Sequence, residues 1–222
     1  MEHLVSALWR PPTLDGDAVH RHVLDEWAPS ALADPGVEAL TVFVADVDQG
    51  GYRNGPDVVV VLGLGAAHDL DAFPDRDSLH AVASRFEVWR VAANNPKRYD
   101  RDWPDGTASP GVTMISLMQR SEGVSHAQFV RHWNERHTPL ALRHHVGLWD
   151  YHQYAVRRAF TPGGASVDGI ATLHFRTRSD YEDEFFDSDE GRAVIMADVD
   201  RFMRLDRSQA ALATEHVLRS GS

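Results

Sequence analysis

Cysteine is absent from the 222 residues, which excludes a disulfide framework, a thiolate metal site and a cysteine nucleophile, and leaves the redox compartment open. Long apolar runs are missing too. No stretch approaches the ~20 residues that a membrane span needs, and the start, Met1 to Pro12, has no basic segment ahead of an apolar core. A soluble, cytoplasmic protein with no membrane partner is the expectation. Positive charge is scarce. Lysine and arginine number 22 against 33 aspartate and glutamate, for a formal net charge of -11. The deficit is concentrated in residues 1–110, which carry 9 basic and 18 acidic side chains. Such a surface repels phosphate backbones, so no nucleic-acid partner is expected. Walker and nucleophile-elbow motifs do not occur, and the Gly63-Leu64-Gly65 segment lacks the rest of a dinucleotide fingerprint.

Histidine, by contrast, is abundant: 13 residues, scattered rather than clustered as in a purification tag. The stretch Val124 to Gly147 holds five of them and reads as one helix. Ser125 followed by Gln128 makes a capping box at its start. At about 100° per residue, Phe129, Val130, Trp133, His137, Leu140, Ala141 and His144 fall within one arc of roughly 120°. Two histidines therefore lie on the buried stripe. Pro139 removes a helical N–H and disfavours the helical conformation of Thr138, so a kink or break is expected just after His137.

The rest of the chain reads as two copies of one pattern. Leu4 to Trp9, Val37 to Val47, Val58 to Leu64 and Phe86 to Ala92 have strand character, and helices are expected from Asp15 or Asp17 to Leu32 and from Pro74 to Arg85. Residues 48–57 form a turn-rich connection. Strands at Val112 to Gln119, Leu148 to Arg157, Asp168 to Phe175 and Ala211 to Leu218 repeat the order, with the Val124 helix and a helical segment from Asp180 to about Asp206 between them. At an offset of 110, Ser6, Arg10, Arg21, His22, Pro29, Ala31 and Leu32 fall on Ser116, Arg120, Arg131, His132, Pro139, Ala141 and Leu142. That is more than the one or two identities that chance would give over about 30 positions. One inserted residue then places Gly36 on Gly147 and Asp57 on Asp168. The expected fold is α+β, two tandem ferredoxin-like βαββαβ units at 1–93 and 111–222, joined by a Pro-, Gly- and Asn-rich linker at 94–110. A four-stranded sheet with both helices on one face leaves the other bare, and a second such sheet covers it. The two antiparallel sheets should thus face each other inside a layer of helices.

The run Phe129-Val-Arg-His-Trp-Asn-Glu-Arg-His137-Thr138-Pro139-Leu140, followed by the strand that contains Tyr151, resembles the EthD family of the dimeric α+β barrel superfamily. The likeness covers residues 111–218 and is degenerate over 1–93, where Trp27-Ala28-Pro29 stands in place of the His-x-Pro signature. It implies a pocket between helices and sheet. It also implies small hydrophobic, aromatic or polyketide-like ligands handled without an organic cofactor.

His137 is the leading functional candidate, because its counterpart in the first repeat is Trp27 and the fold therefore accepts a plain aromatic there. Imidazole, with an unperturbed pKa near 6.5, suits acid/base work at neutral pH. Tyr151 and His152 must lie on opposite faces of their strand, so only one can share His137's side, and His174 alternates with its neighbours in the same way. Tyr151 or His174 would orient a substrate oxygen, with Phe129, Trp133, His144 and His152 as candidate substrate contacts. His22 and His132 occupy the same repeat position, which points to a shared structural contact. No metal site is expected: in an α-helix His132 and His137 point roughly 140° apart. The leading reading is a cofactor-independent enzyme, possible as a homodimer, that performs dehydration, cyclisation or decarboxylation. The rivals are a haem protein like the chlorite dismutase relatives and a non-catalytic binding protein for small ligands.

Overall fold

A computed structural model describes residues 1–46, 54–66, 68 and 73–221. Most of the expected turn-rich connection, at 48–53, lies outside them. Eight strands, β1 (Glu2–Trp9), β2 (Val37–Ala45), β3 (Val58–Leu64), β4 (Arg85–Lys97), β5 (Val112–Met118), β6 (Leu148–Ala159), β7 (Gly169–Phe175) and β8 (Gln209–Arg219), alternate with helices in the βαββαβ order, twice. The first sheet runs β4-β1-β3-β2 and the second β8-β5-β7-β6. These are the same order, offset by one unit. Every pairing is antiparallel. The sheets face each other, and they also join at both seams, β2 with β8 and β4 with β6, into a closed barrel. Closure removes every sheet edge, so a second copy is not needed to complete the barrel.

Strand alternation sorts the apolar residues into three cores. On β3, Val58, Val60, Leu62 and Leu64 pack outward against the helices of the first unit, while Val59 and Val61 point into the barrel. That accounts for a strand buried along its whole length. In the second unit Phe129, Trp133, Tyr151, Phe175 and Phe202 fill the layer between helices and sheet. Val5, Trp89, Ile115, Tyr154 and Ile170 belong to the barrel interior.

The repeat identities reappear as contacts. In the first unit the Arg10 amide and guanidinium both donate to Asp57, at 2.8 and 2.9 Å. In the second the Arg120 amide donates to Asp168 at 2.9 Å, and its guanidinium also reaches that carboxylate. The linker is more structured than its composition implies. β4 extends through 94–97, Ser109 is buried, and Tyr99 clusters with Trp103 and Trp149, ring centroids at 5.5 and 4.8 Å, across one end of the barrel.

Candidate functional site

The second unit's long helix, 126–144, starts as its sequence dictates. Ser125 accepts from the Gln128 amide, and the Gln128 side chain accepts from the Ser125 amide. The helix does not break after His137. The chain instead widens into a π-helical turn, Trp133–His137, and continues as α-helix from Thr138 to His144. The Thr138 amide bonds to the Trp133 carbonyl five residues back. A π-turn takes up one extra residue, so the buried stripe slips by one position behind it. Thr138, Ala141 and His145 follow Phe129 and Trp133 on the inner face, rather than His137, Leu140 and His144. His144 lies outside, its Nδ1 2.9 Å from Asp187. His145 is buried with Nδ1 2.6 Å from the Phe185 carbonyl, and desolvation lowers its pKa to about 4.

The slip carries His137 to the edge of the layer, where it meets the helix Asp189–Val199. Its Nδ1 lies 3.1 Å from one oxygen of Asp198, and His132 Nε2 lies 2.8 Å from the other. The two rings that an α-helix would separate by roughly 140° therefore share one carboxylate, because a π-turn brings positions i and i+5 nearly into line. Asp198 is 5% exposed. Burial works against its carboxylate, yet hydrogen bonds and charge from His137 and His132 hold its pKa below the ordinary value. Phe202 lies against both imidazoles, with centroids at 4.8 Å from His132 and 5.2 Å from His137. With Nδ1 committed, Nε2 of His137 has no hydrogen-bond partner among the described residues. An open groove of about 590 Å³ runs beside the pair between the two helices, lined by His132, Glu135, Arg136, Pro139, Leu140, Asp198 and Arg201.

Tyr151 shares His137's side of the sheet but serves the π-turn. Its hydroxyl accepts from Trp133 Nε1 at 2.8 Å and from Gln153 Nε2 at 3.0 Å. Gln153 also reaches the Thr138 hydroxyl, which in turn donates to the Trp133 carbonyl. Burial raises the Tyr151 phenol to about 12, against the hydrogen bonds from Trp133 and Gln153. With Phe129 and Trp133 also fully enclosed, these three side chains are walls and props. The layer in which the resemblance implies a pocket is filled by them, by Phe175 and by Phe202. A haem on the sheet side of His137 would need that same space, and the residues present do not fit one.

His152 and His174 face the other way, into the barrel. His174 is buried, its Nε2–H donating to the Pro110 carbonyl at 3.0 Å and its Nδ1 meeting the Thr113 hydroxyl at 2.7 Å. His152 pairs with Asp150 at 2.9 Å. The structure thus brings His137 together with Asp198 and His132, and brings neither His152 nor His174 to them. Asp198 is not among the residues that the sequence motifs single out, although a carboxylate between Ile195 and Val199, on the apolar side of its helix, is a legible signal. Thr138 and Gln153 carried a weaker one, Gln153 sharing Tyr151's strand face two residues on.

No curated protein matches the sequence. Residues 121–206 match the EthD domain model. The fold is similar to that of an anthrone oxidase-like protein (TM-score 0.64, 10% identity, 100% of this chain and 94% of the other). It is also similar to a candidate monooxygenase from Lactobacillus acidophilus NCFM (TM-score 0.55, 8% identity, 99% and 96%) and to a candidate chlorite dismutase (TM-score 0.51, 10% identity, 98% and 95%). At such identities these likenesses show the fold alone. Among the described residues no helix is long and apolar enough to cross a membrane, and no three side chains are placed as metal ligands. The second unit is thus similar to EthD domains over residues 121–206, and the chain as a whole has the dimeric α+β barrel fold, closed here within one polypeptide.

Proposed function

We propose that the protein is an enzyme for a small aromatic or polyketide-like metabolite, working by proton transfer through His137 Nε2 with no organic cofactor. The observation that carries this reading is the His137–Asp198 pair: Nδ1 is held on a buried carboxylate while Nε2 is left without a partner among the described residues. That is the orientation a general base requires, one nitrogen fixing the ring and the other free to meet a substrate proton. When Nε2 takes a proton, the positive charge on the ring faces Asp198 at 3.1 Å. The same nitrogen can return the proton to a leaving hydroxyl or to carbon, which covers dehydration, cyclisation and decarboxylation. Arg136 and Arg201 line the neighbouring groove and suit an enolate or carboxylate oxygen.

The trial is turnover of a panel of phenols, anthrones and β-polyketide analogues, with and without dioxygen, after dialysis against chelator. Wild type should turn over at least one class, and His137→Gln should lose about 100-fold or more. The oxygen arm is included because two fold relatives are named for oxidation. Turnover that survives in His137→Gln, or that chelator removes and added metal restores, contradicts the reading.

A further inference from the structure

The barrel interior holds a second feature that the His137 site leaves unexplained. At the end where Tyr99 crosses, the strands do not close over: a cavity of about 430 Å³ opens between β6 and β8, within the range of small-molecule sites. Two carboxylates reach it, Asp150 and Glu215, 2% and 5% exposed. They are not equivalent. Asp150 has His152 as an ion-pair partner at 2.9 Å. Glu215 accepts only from hydroxyls, Tyr99 at 2.8 Å and Ser109 at 2.6 Å, both on the same oxygen, Oε1. Among the described residues no cation pairs with it, and Oε2 receives no donor. A buried carboxylate without counter-charge is costly, and the fold retains one here facing open space.

Tyr154 is the independent observation. It is 95% buried on the cavity wall, and its hydroxyl has no hydrogen-bond partner among the described residues, yet it is not sealed from the cavity. A buried phenol normally finds a partner. Tyr99, Tyr154 and Phe43 bring aromatic rings to the lining, and aromatic rings attract cations. The cationic side chains nearby do not pair with Glu215: Arg101 donates through Nη2 to Asp105 and Ser220 and leaves Nη1 without a partner among the described residues, Arg219 donates to the Leu32 and Val37 carbonyls, and Arg98 stands exposed at the rim. A metal ion fits poorly, because no three described side chains are arranged to ligate one.

We propose that this barrel end is a second small-molecule site, which takes an amine in its ammonium form between Glu215 Oε2 and the Tyr154 hydroxyl. It lies on the opposite face of the sheet from His137 and does not depend on the acid/base reading. The test is calorimetric titration of the full-length protein with benzylamine, and with benzyl alcohol and benzoate as neutral and anionic controls. Benzylamine should bind at least 10-fold more tightly than either control. Glu215→Gln should weaken it about 10-fold or more, Tyr154→Phe about 3- to 10-fold, and His137→Gln not at all. The Tyr154 change removes a hydroxyl that bonds to nothing among the described residues, so it stays informative if Glu215→Gln does not fold. Absence of benzylamine binding at millimolar concentration, tighter binding of benzoate, or unchanged affinity in Tyr154→Phe would each overturn the proposal.

Discussion

The two units differ least where the fold needs them alike and most at one helical turn. Both long helices contain a π-segment at the same place, His22–Trp27 in the first and Trp133–His137 in the second. In both, the leading histidine ties that helix to the unit's other helical layer: His22 to Ser78 at 3.0 Å, His132 to Asp198 at 2.8 Å. The π-turn therefore belongs to the architecture. What the second unit changes is the residue that closes the turn and the partner that awaits it. Trp27 is fully buried, donates to the Pro74 carbonyl at 3.0 Å and stacks on Phe73. Its counterpart His137 is turned to a carboxylate that replaces Ser78 as the anchor. One unit spends the position on packing, the other on a polarised imidazole.

The comparison breaks most readily at Trp27. Trp27→Ala should cost about 3–5 kcal/mol in a denaturant titration, the range for deleting a large buried aromatic, whereas His137→Ala should cost at most about 2 kcal/mol. Equal losses would mean that both residues are merely packed.

His145, at the end of the second long helix, sharpens the contrast through pH. Its folded pKa of about 4 lies below the unfolded value near 6.5, so the neutral ring's contribution is complete above pH 6.5 and is lost as pH falls through 4. The shift is equivalent to on the order of 3 kcal/mol. Melting temperature followed from pH 7 to 4 should fall more steeply in wild type than in His145→Gln.

Asp198 acts in a lower window. Its folded pKa is depressed, so its stabilisation is present above the unfolded value of about 3.9 and disappears as pH drops below that. Asp198→Asn should cost about 1–3 kcal/mol at neutral pH and flatten the acid limb of the stability profile below pH 4. The smallest effects concern what the halves share. Asp57→Asn and Asp168→Asn should each cost about 1–2 kcal/mol in the same titration, since each anchors an arginine amide and guanidinium in equivalent geometry. A large difference between the two would show that the repeat has diverged there as well.

The repeat was legible because its identities sit where backbone geometry is shared: Arg10 with Asp57, Arg120 with Asp168, and the prolines Pro29 and Pro139 after each π-turn. Strand positions follow from β-branched alternation, and the unbroken apolar run Val58–Leu64 is that of a strand covered on both faces. A constant 100° per residue describes the helix stripe up to Trp133 and fails beyond it. A π-turn leaves no mark in apolar periodicity except that one side chain, here Thr138, moves inward in place of its neighbour. Asp198 comes from a helix some 60 residues away, and such a pairing cannot be read from spacing within one segment. Likewise the length of β4 was hidden by Asn94, Asn95 and Pro96, whose turn character is overridden by pairing with β6 through Lys97 and Tyr151.

The most direct test of the account is turnover by folded His137→Gln relative to wild type on whichever phenol, anthrone or polyketide analogue the wild type converts. A loss of about 100-fold or more, with the melting temperature essentially retained, is the predicted result. Undiminished turnover by the variant would contradict it.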